Sequence, residues 1–228
     1  MKASRLLLKQ SLVLLLGLIT LLVVVRTAAE TRYIPSTTMA PTLVPGDRIV
    51  VYKLPSMFSS EYKRGEVILF YPPASELGLK RLHFDWLHIM GNLTGLPIFH
   101  RQPVFIKRVI AVAGETVEVK PGEGVFVNGR LLPEPYVAEP ASYRLKELAD
   151  LGGENALGAT IQPHAGQKKA IVVPPGTCFV LGDNRNQSAD SHVFGFVPTA
   201  SIMGRAVVRF YPDIKDLSPP EYKMKDSL

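Results

Sequence analysis

The chain has a single cysteine, Cys178, so no intrachain disulfide can form, which neither requires nor excludes an oxidising compartment. Within the apolar run "TCFVL" that thiol reads as a small buried side chain. Common hydrolase signatures are absent: there is no G-x-S-x-G elbow, no H-E-x-x-H and no C-x-x-C. Of the five histidines, His83 and His88 lie five apart, off the spacing that puts two ligands on one helix face. They read as surface residues, and no metal or other cofactor is expected. Basic residues outnumber acidic ones 26 to 20, yet they form no long cluster and no interleaved aromatic platform. Nucleic acid is therefore not an expected partner. The net charge of +6 suits an anionic membrane surface, and equally an incidental excess on a solvated face.

What is present begins at the N-terminus. Residues 6–25 read "LLLKQSLVLLLGLITLLVVV", uncharged from Gln10 to Val25. That stretch is short of the ~20 residues of a helical span, and Leu6 to Leu8 complete it if Lys9 snorkels toward the headgroups. Lys2, Arg5 and Lys9 precede the segment; Arg26 and Arg32 follow it, with Glu30 between. The bias predicts a cytoplasmic N-terminus, with everything after Arg26 across the membrane. A cleaved secretory signal is the rival reading, since Thr27 and Ala29 are small enough for its −3 and −1 positions. Both readings export the remainder. The uncleaved anchor is preferred, dividing the chain into a tip and anchor, 1–26, and an exported domain, 27–228.

From Arg32 onward short β-branched runs alternate with Pro/Gly turns. Strands are expected at 48–53, 67–71, 104–112, 116–120, 125–132, 169–173, 178–182 and 202–211. Asn128-Gly129 favours a type I′ hairpin, and "PPG" at 174–176 suggests another, joining 169–173 to 178–182. The fold class is all-β and antiparallel. Two stretches break the rhythm. In 74–102, Leu79, Leu82, Trp86 and Leu87 sit near helical spacing and predict a short amphipathic helix. Residues 141–168 are polar and Gly-containing, an expected mobile loop.

Three hydroxyls, Ser36, Thr37 and Thr38, sit between the apolar segment and the first of these strands, in "IPSTTMAPTLVPGDRIVV". A run of this kind is ordinarily solvated loop. A hydroxyl nucleophile without a histidine needs another base, and a buried lysine can serve. Lys107 lies inside "VFIKRVIAV", sharing a strand face with Phe105, Val109 and Ala111. Burial there favours the neutral amine. The same pattern also suits a lysine snorkelling from a strand edge.

"PSTTMAPTLVPGDRIVV", "KRGEVILF", "FIKRVIAVAGE" and "LGDNRNQSADSHVFGFV" occur in the order and context of the type I signal peptidase family, which this chain resembles. The lead-in "RTAAETRYIPS" and the ending "DSHVFGFVP" look most like its cyanobacterial and plant thylakoid branch. The resemblance implies an all-β Ser/Lys endopeptidase behind one N-terminal transmembrane helix, removing signal peptides from exported preproteins on the trans side. By matching motifs, it implies Lys107 as general base and Ser36 as an oxyanion donor. Ser188 would orient the lysine amine, and Asp183, Arg185 and Asp190 would buttress the site. Ile34, Pro35, Met39, Leu43, Phe105 and Ile106 would surround shallow pockets for small −1 and −3 side chains. His192 stands where many members carry Arg, a departure common in the branch resembled.

One departure touches the chemistry. In the family motif P-S-x-S-M-x-P-T-L the second Ser is the nucleophile, and here Thr38 fills that place before Met39. Threonine keeps the hydroxyl, while its methyl stiffens χ1 and crowds the approach to a carbonyl. The leading expectation is a Thr38/Lys107 peptidase of a bacterial inner or thylakoid membrane, contacting membrane lipid and preprotein signal peptides. The alternative is an inactive paralogue that binds signal peptides or partner proteins. A self-cleaving regulator is disfavoured by the apolar anchor and the lack of a DNA-binding half.

Overall fold

The computed structural model describes residues 2–54, 61–72, 103–145 and 170–222. The expected helix within 74–102, and the expected loop from residue 146 onward, lie outside the described residues. Helix α1 (Lys2–Ala28) contains a stretch, Lys9–Ala28, of 20 residues with mean hydropathy 2.4, long and apolar enough to cross a membrane. None of that stretch is buried inside the protein, and its last residue, Ala28, accepts a hydrogen bond from Lys53 N–H at 2.8 Å. The helix runs without a loop into strand β1 (Ala29–Tyr33), which the turn-and-strand pattern had not marked.

The remaining strands are β2 (Arg48–Tyr52), β3 (Val67–Phe70), β4 (Phe105–Val112), β5 (Thr116–Lys120), β6 (Gly124–Val127) and β7 (Arg130–Leu131). After them come β8 (Ile171–Val172), β9 (Thr177–Leu181), β10 (Val197–Pro198), β11 (Ile202–Tyr211) and β12 (Lys215–Asp216), with a one-turn helix α2 (Ser191–Phe194) before β10. They form an eight-stranded sheet, β1-β2-β11-β3-β4-β9-β10 with β12 on β11, and a four-stranded sheet, β7-β6-β5-β8. Every pairing is antiparallel, as the all-β expectation requires.

Local chemistry explains the joints. Asn128 (φ 52) and Gly129 (φ 77) both adopt the left-handed conformation a type I′ turn demands, and the β6–β7 hairpin forms there. The other expected hairpin does not form. β8 pairs with β5, while β9 pairs with β4 and β10, so the strands flanking the "PPG" turn belong to different sheets. β9 is buried along its whole length and takes a central position. Its neighbour β8 is two residues long, and the next amide, Val173 N–H, bonds Glu115 O at 2.9 Å in the second sheet. Neither run alternates, so neither announced which partner it would take.

β4 lies where the cores meet. Ile106 joins a cluster with Ile34, Met39, Leu43, Ile49 and Leu69. Ile110 faces Val117, Val125 and Phe179 between the sheets, and Val109 packs with Ile68, Phe70 and Val180. A strand buried on both sides has no solvent face to which a polar side chain can turn.

β11 crosses β2 and β3 with register shifts, one between Ile202 and Gly204. A Cβ on Gly204 would lie 2.6 Å from the Tyr52 carbonyl oxygen, a backbone atom that cannot step aside. Gly204→Val should therefore destabilise the protein by about 1–3 kcal/mol, the usual cost of overpacking. Thermal unfolding in detergent micelles checks this; an unchanged midpoint would contradict the geometry.

Candidate active site

The segment after β1 is pinned at both ends. Ile34 N–H donates to Asp47 O at 2.9 Å, and Gly46 N–H returns to Ile34 O at 3.0 Å. Between them the chain turns sharply, with Ala40 N–H on Thr37 O and Leu43 N–H on Met39 O. Met39 and Leu43 are wholly buried and anchor this loop in the core. Ser36 and Thr38 are half-buried and their hydroxyl oxygens lie 3.2 Å apart, while Thr37 is exposed. The bend at Thr37, where the turn begins, brings the Ser36 and Thr38 hydroxyls together and leaves Thr37 outside.

Lys107 comes to them from β4. It is 4% exposed, and its Nζ lies 3.4 Å from Thr38 Oγ1 and 3.1 Å from Ile106 O. No carboxylate stands within ion-pair distance among the described residues, so burial dominates. It pulls the amine down from 10.5 to about 8, with the Asp190 charge pulling weakly the other way. A group with this value is part neutral near neutral pH and can take a proton from a hydroxyl.

The third element is the loop after β9. Register pairs Arg108 with Leu181, so the following Gly182 falls beside Lys107. A Cβ on Gly182 would lie 2.3 Å from Ser188 Oγ and 2.5 Å from Thr38 O; only glycine permits so close an approach. Asn184 ties the loop to the hydroxyl segment, its N–H donating to Thr38 O at 3.1 Å and its Nδ2 to Thr37 O at 3.3 Å. Ser188 Oγ is buried without a hydrogen-bond partner among the described residues. The bond to the lysine amine that the resemblance implied is therefore not formed in this conformation.

Buried charges hold the loop. Asp183 accepts from Arg108 Nε at 2.8 Å and Nη2 at 2.7 Å, both residues being nearly inaccessible. Arg108 Nη1 also donates to Gly65 O at 2.8 Å, and the Tyr136 ring lies 3.9 Å from the guanidinium carbon. Arg185 donates to Gly182 O at 3.1 Å and forms a two-pronged pair with Glu134. Asp190 accepts from Gly182 N–H at 2.9 Å and meets His192 Nδ1 at 2.6 Å. Tyr143 stacks on that imidazole, ring centres 4.0 Å apart. The start of the expected mobile loop is thus packed: Ala141 is buried, and Ser142 N–H bonds Asn186 Oδ1 at 2.9 Å.

A cleft of about 510 Å³ opens beside the hydroxyl–amine pair, lined by Ile34, Pro35, Ser36, Thr38, Phe105 and Ile106 among others. Of the six residues expected to surround substrate pockets, four line it. Met39 and Leu43 do not; they lie behind it in the core. Four residues escaped sequence reasoning. Arg108 carried a signal, a second cation next to Lys107 in an apolar strand and so on its opposite face. Ala189 stood within a quoted motif. Glu134 and Tyr143 lie in "LLPEPY" and "ASYRLK", where nothing distinguishes them from surface residues. No group of three or more His, Cys, Asp or Glu is placed to hold a metal among the described residues.

A hydroxyl beside a buried amine of lowered basicity, at the edge of an apolar cleft on an antiparallel β fold, is an arrangement in which a lysine can stand in for histidine as base. A family model described as "Signal peptidase, peptidase S26" matches residues 7–211. The chain is 40% identical over 184 residues to the probable signal peptidase I-1 of Synechocystis sp. (strain ATCC 27184 / PCC 6803 / Kazusa), covering 81% of this chain and 72% of that relative. It is 38% identical over 212 residues to signal peptidase I of Leptolyngbya laminosa, with 92% and 80% covered. Thylakoidal processing peptidase 1, chloroplastic, of Arabidopsis thaliana matches at 34% over 187 residues, 82% and 43% covered. The chain belongs to the signal peptidase family, peptidase S26, in its type I cyanobacterial and thylakoid branch.

Removing one member of the Arg108–Asp183 pair strands a buried charge, which costs about 3–5 kcal/mol. Asp183→Ala should lower the unfolding free energy by that order in a denaturant titration. Asp213→Ala, at a pair whose carboxylate is 64% exposed, should cost clearly less. Equal effects would show that burial does not govern the Arg108–Asp183 pair.

Proposed function

We propose that this protein is a membrane-bound endopeptidase that removes signal peptides from exported preproteins, with Thr38 as nucleophile and Lys107 as general base. The observation that carries the reading is the 3.4 Å approach of Thr38 Oγ1 to an amine whose pKa burial lowers to about 8. The neutral amine takes the Thr38 hydroxyl proton as Oγ1 bonds to the scissile carbonyl carbon. Ser36, at 3.2 Å from Thr38 Oγ1, is close enough to donate to the carbonyl oxygen as it becomes an oxyanion. Collapse breaks the C–N bond, and the leaving amine takes the proton from the lysine ammonium. Lys107 then deprotonates a water that attacks the threonyl ester, and Thr38 recovers its proton. Ser188, whose buried Oγ is unpartnered among the described residues, is the residue assigned to orient the amine; Asp183, Arg185 and Asp190 keep that loop in place.

The cleft is walled by Ile34, Pro35, Phe105 and Ile106, with Leu69 beneath. An apolar and shallow wall accepts small side chains and rejects large ones by overlap, so Ala is favoured at −1 and −3. Residues 1–26 are the cytoplasmic tip and anchor and 27–228 the exported domain, in contact with lipid at the inner or thylakoid membrane. Protease added outside spheroplasts should digest the domain; protection of it, or a mature N-terminus at Glu30, would overturn this topology.

Cleavage of a preprotein after Ala-x-Ala tests the chemistry. Thr38→Ala and Lys107→Ala should abolish it, and Lys107→Arg should fail because a guanidinium stays protonated. Thr37→Ala should be nearly silent, and Ser36→Ala should cost up to about 10²–10³-fold. Thr38→Ser removes only the crowding methyl and should be at least as active as the natural protein. Because the amine acts when neutral and burial lowers its pKa to about 8, kcat/KM should climb about tenfold per pH unit below that value and level above it. An inert natural protein with an active Thr38→Ser variant would mark a silenced peptidase. If both are inert, the enzyme reading fails and the binding-protein alternative replaces it.

A further inference from the structure

A second hollow, of about 260 Å³, borders the loop that carries Thr38, two residues further on. Ala40 and Pro41, which follow Thr38 and Met39, form one wall, and Asn184 and Gln187 form another. The cleft thus takes in this loop as far as Thr38, and the hollow takes it up again at Ala40. The cleft also takes in Arg32 and Tyr33, the end of the strand that issues directly from α1. A peptide whose apolar part lies in the membrane beside α1 enters from that end. On the peptidase reading its scissile carbonyl sits at Thr38, and the hollow at Ala40 and Pro41 is the next opening along the loop for the chain beyond the cut.

The electrostatics of this exit are simple. Asp183 and Arg185 contribute to its floor, but each is 1% exposed and neutralised, the first by Arg108 and the second by Glu134. Asn184 and Gln187 offer uncharged amides. Glu139 is exposed, lines the hollow, and has no ion-pair partner among the described residues. It leaves one uncompensated negative charge where the departing segment passes.

We propose that this hollow is the subsite for the first residues of the mature protein, and that Glu139 makes it select basic over acidic side chains there. This rests on the peptidase reading above. A solvent-exposed charge discriminates modestly, about two- to five-fold, and salt screens it.

The test uses the full-length protein in detergent and preprotein peptides identical from −3 to −1, with Lys, Gln or Asp placed in turn at +1, +2 and +3. At one or more of these positions kcat/KM should rank Lys above Gln above Asp, with the spread shrinking as salt is raised. Glu139→Lys should reverse the ranking. Glu123→Lys, the same charge change at the β5–β6 turn, should preserve it. Affinities of the same peptides, fluorescently labelled, for the Lys107→Ala protein should follow the same order. A flat response in the natural protein, or a ranking that survives Glu139→Lys, overturns the proposal. If no peptide is cut, the peptidase reading falls, and the order of affinities still decides whether the hollow holds this segment.

Discussion

An amine held out of water with no carboxylate against it is the constraint on which the rest of this structure depends. A lysine on a strand ordinarily reaches for solvent, and Lys107 cannot, because β4 is covered on both faces and its Nζ ends between Thr38 and the Ile106 carbonyl. The cost of desolvation lowers the amine's proton affinity, from 10.5 to about 8, and that shift is what the proposed base role draws on. Anything that opened the packing would let the amine's proton affinity return toward its ordinary value. The three core clusters meeting on β4 are thus part of the site, although few of their members touch it.

The loop from Gly182 to His192 shows how closely that packing is specified. Gly182 is set so near Thr38 O and Ser188 Oγ that a methyl group would not fit. Two buried ion pairs, Arg108–Asp183 and Arg185–Glu134, and the Asp190–His192 contact fix where the loop lies. Buried pairs of this kind add little net stability over an apolar core, but a partner misplaced leaves a charge stranded. They therefore penalise alternative loop positions more than they reward this one. Such selectivity is what a site needs when hydroxyl and amine must meet within a few tenths of an ångström.

Much of this was legible in the amino-acid order. The β-branched runs and turn residues announced an antiparallel β protein, and Asn128-Gly129 announced its hairpin, because those signals depend on near neighbours. Sixteen uncharged residues from Gln10 to Val25 announced a helix able to span a bilayer. Lys107 and the hydroxyls around Thr38 could be singled out as residue types in unusual settings. The motifs then suggested how they belong together.

Other features depended on tertiary structure. The strands around "PPG" look like a hairpin, yet they part into different sheets, because each finds a longer or better-buried partner elsewhere in the chain. Met39 and Leu43 sit in a motif beside the nucleophile position, but the turn at Ala40 sends them into the core and away from the cleft. Glu134 and Tyr143 acquire their importance only from the buried Arg185 and the imidazole they meet. Residue type and local spacing follow from covalent order alone. Burial, partner and proton affinity are set by what the folded chain brings alongside, and those are the quantities on which the proposed pairing of Lys107 with Thr38 rests.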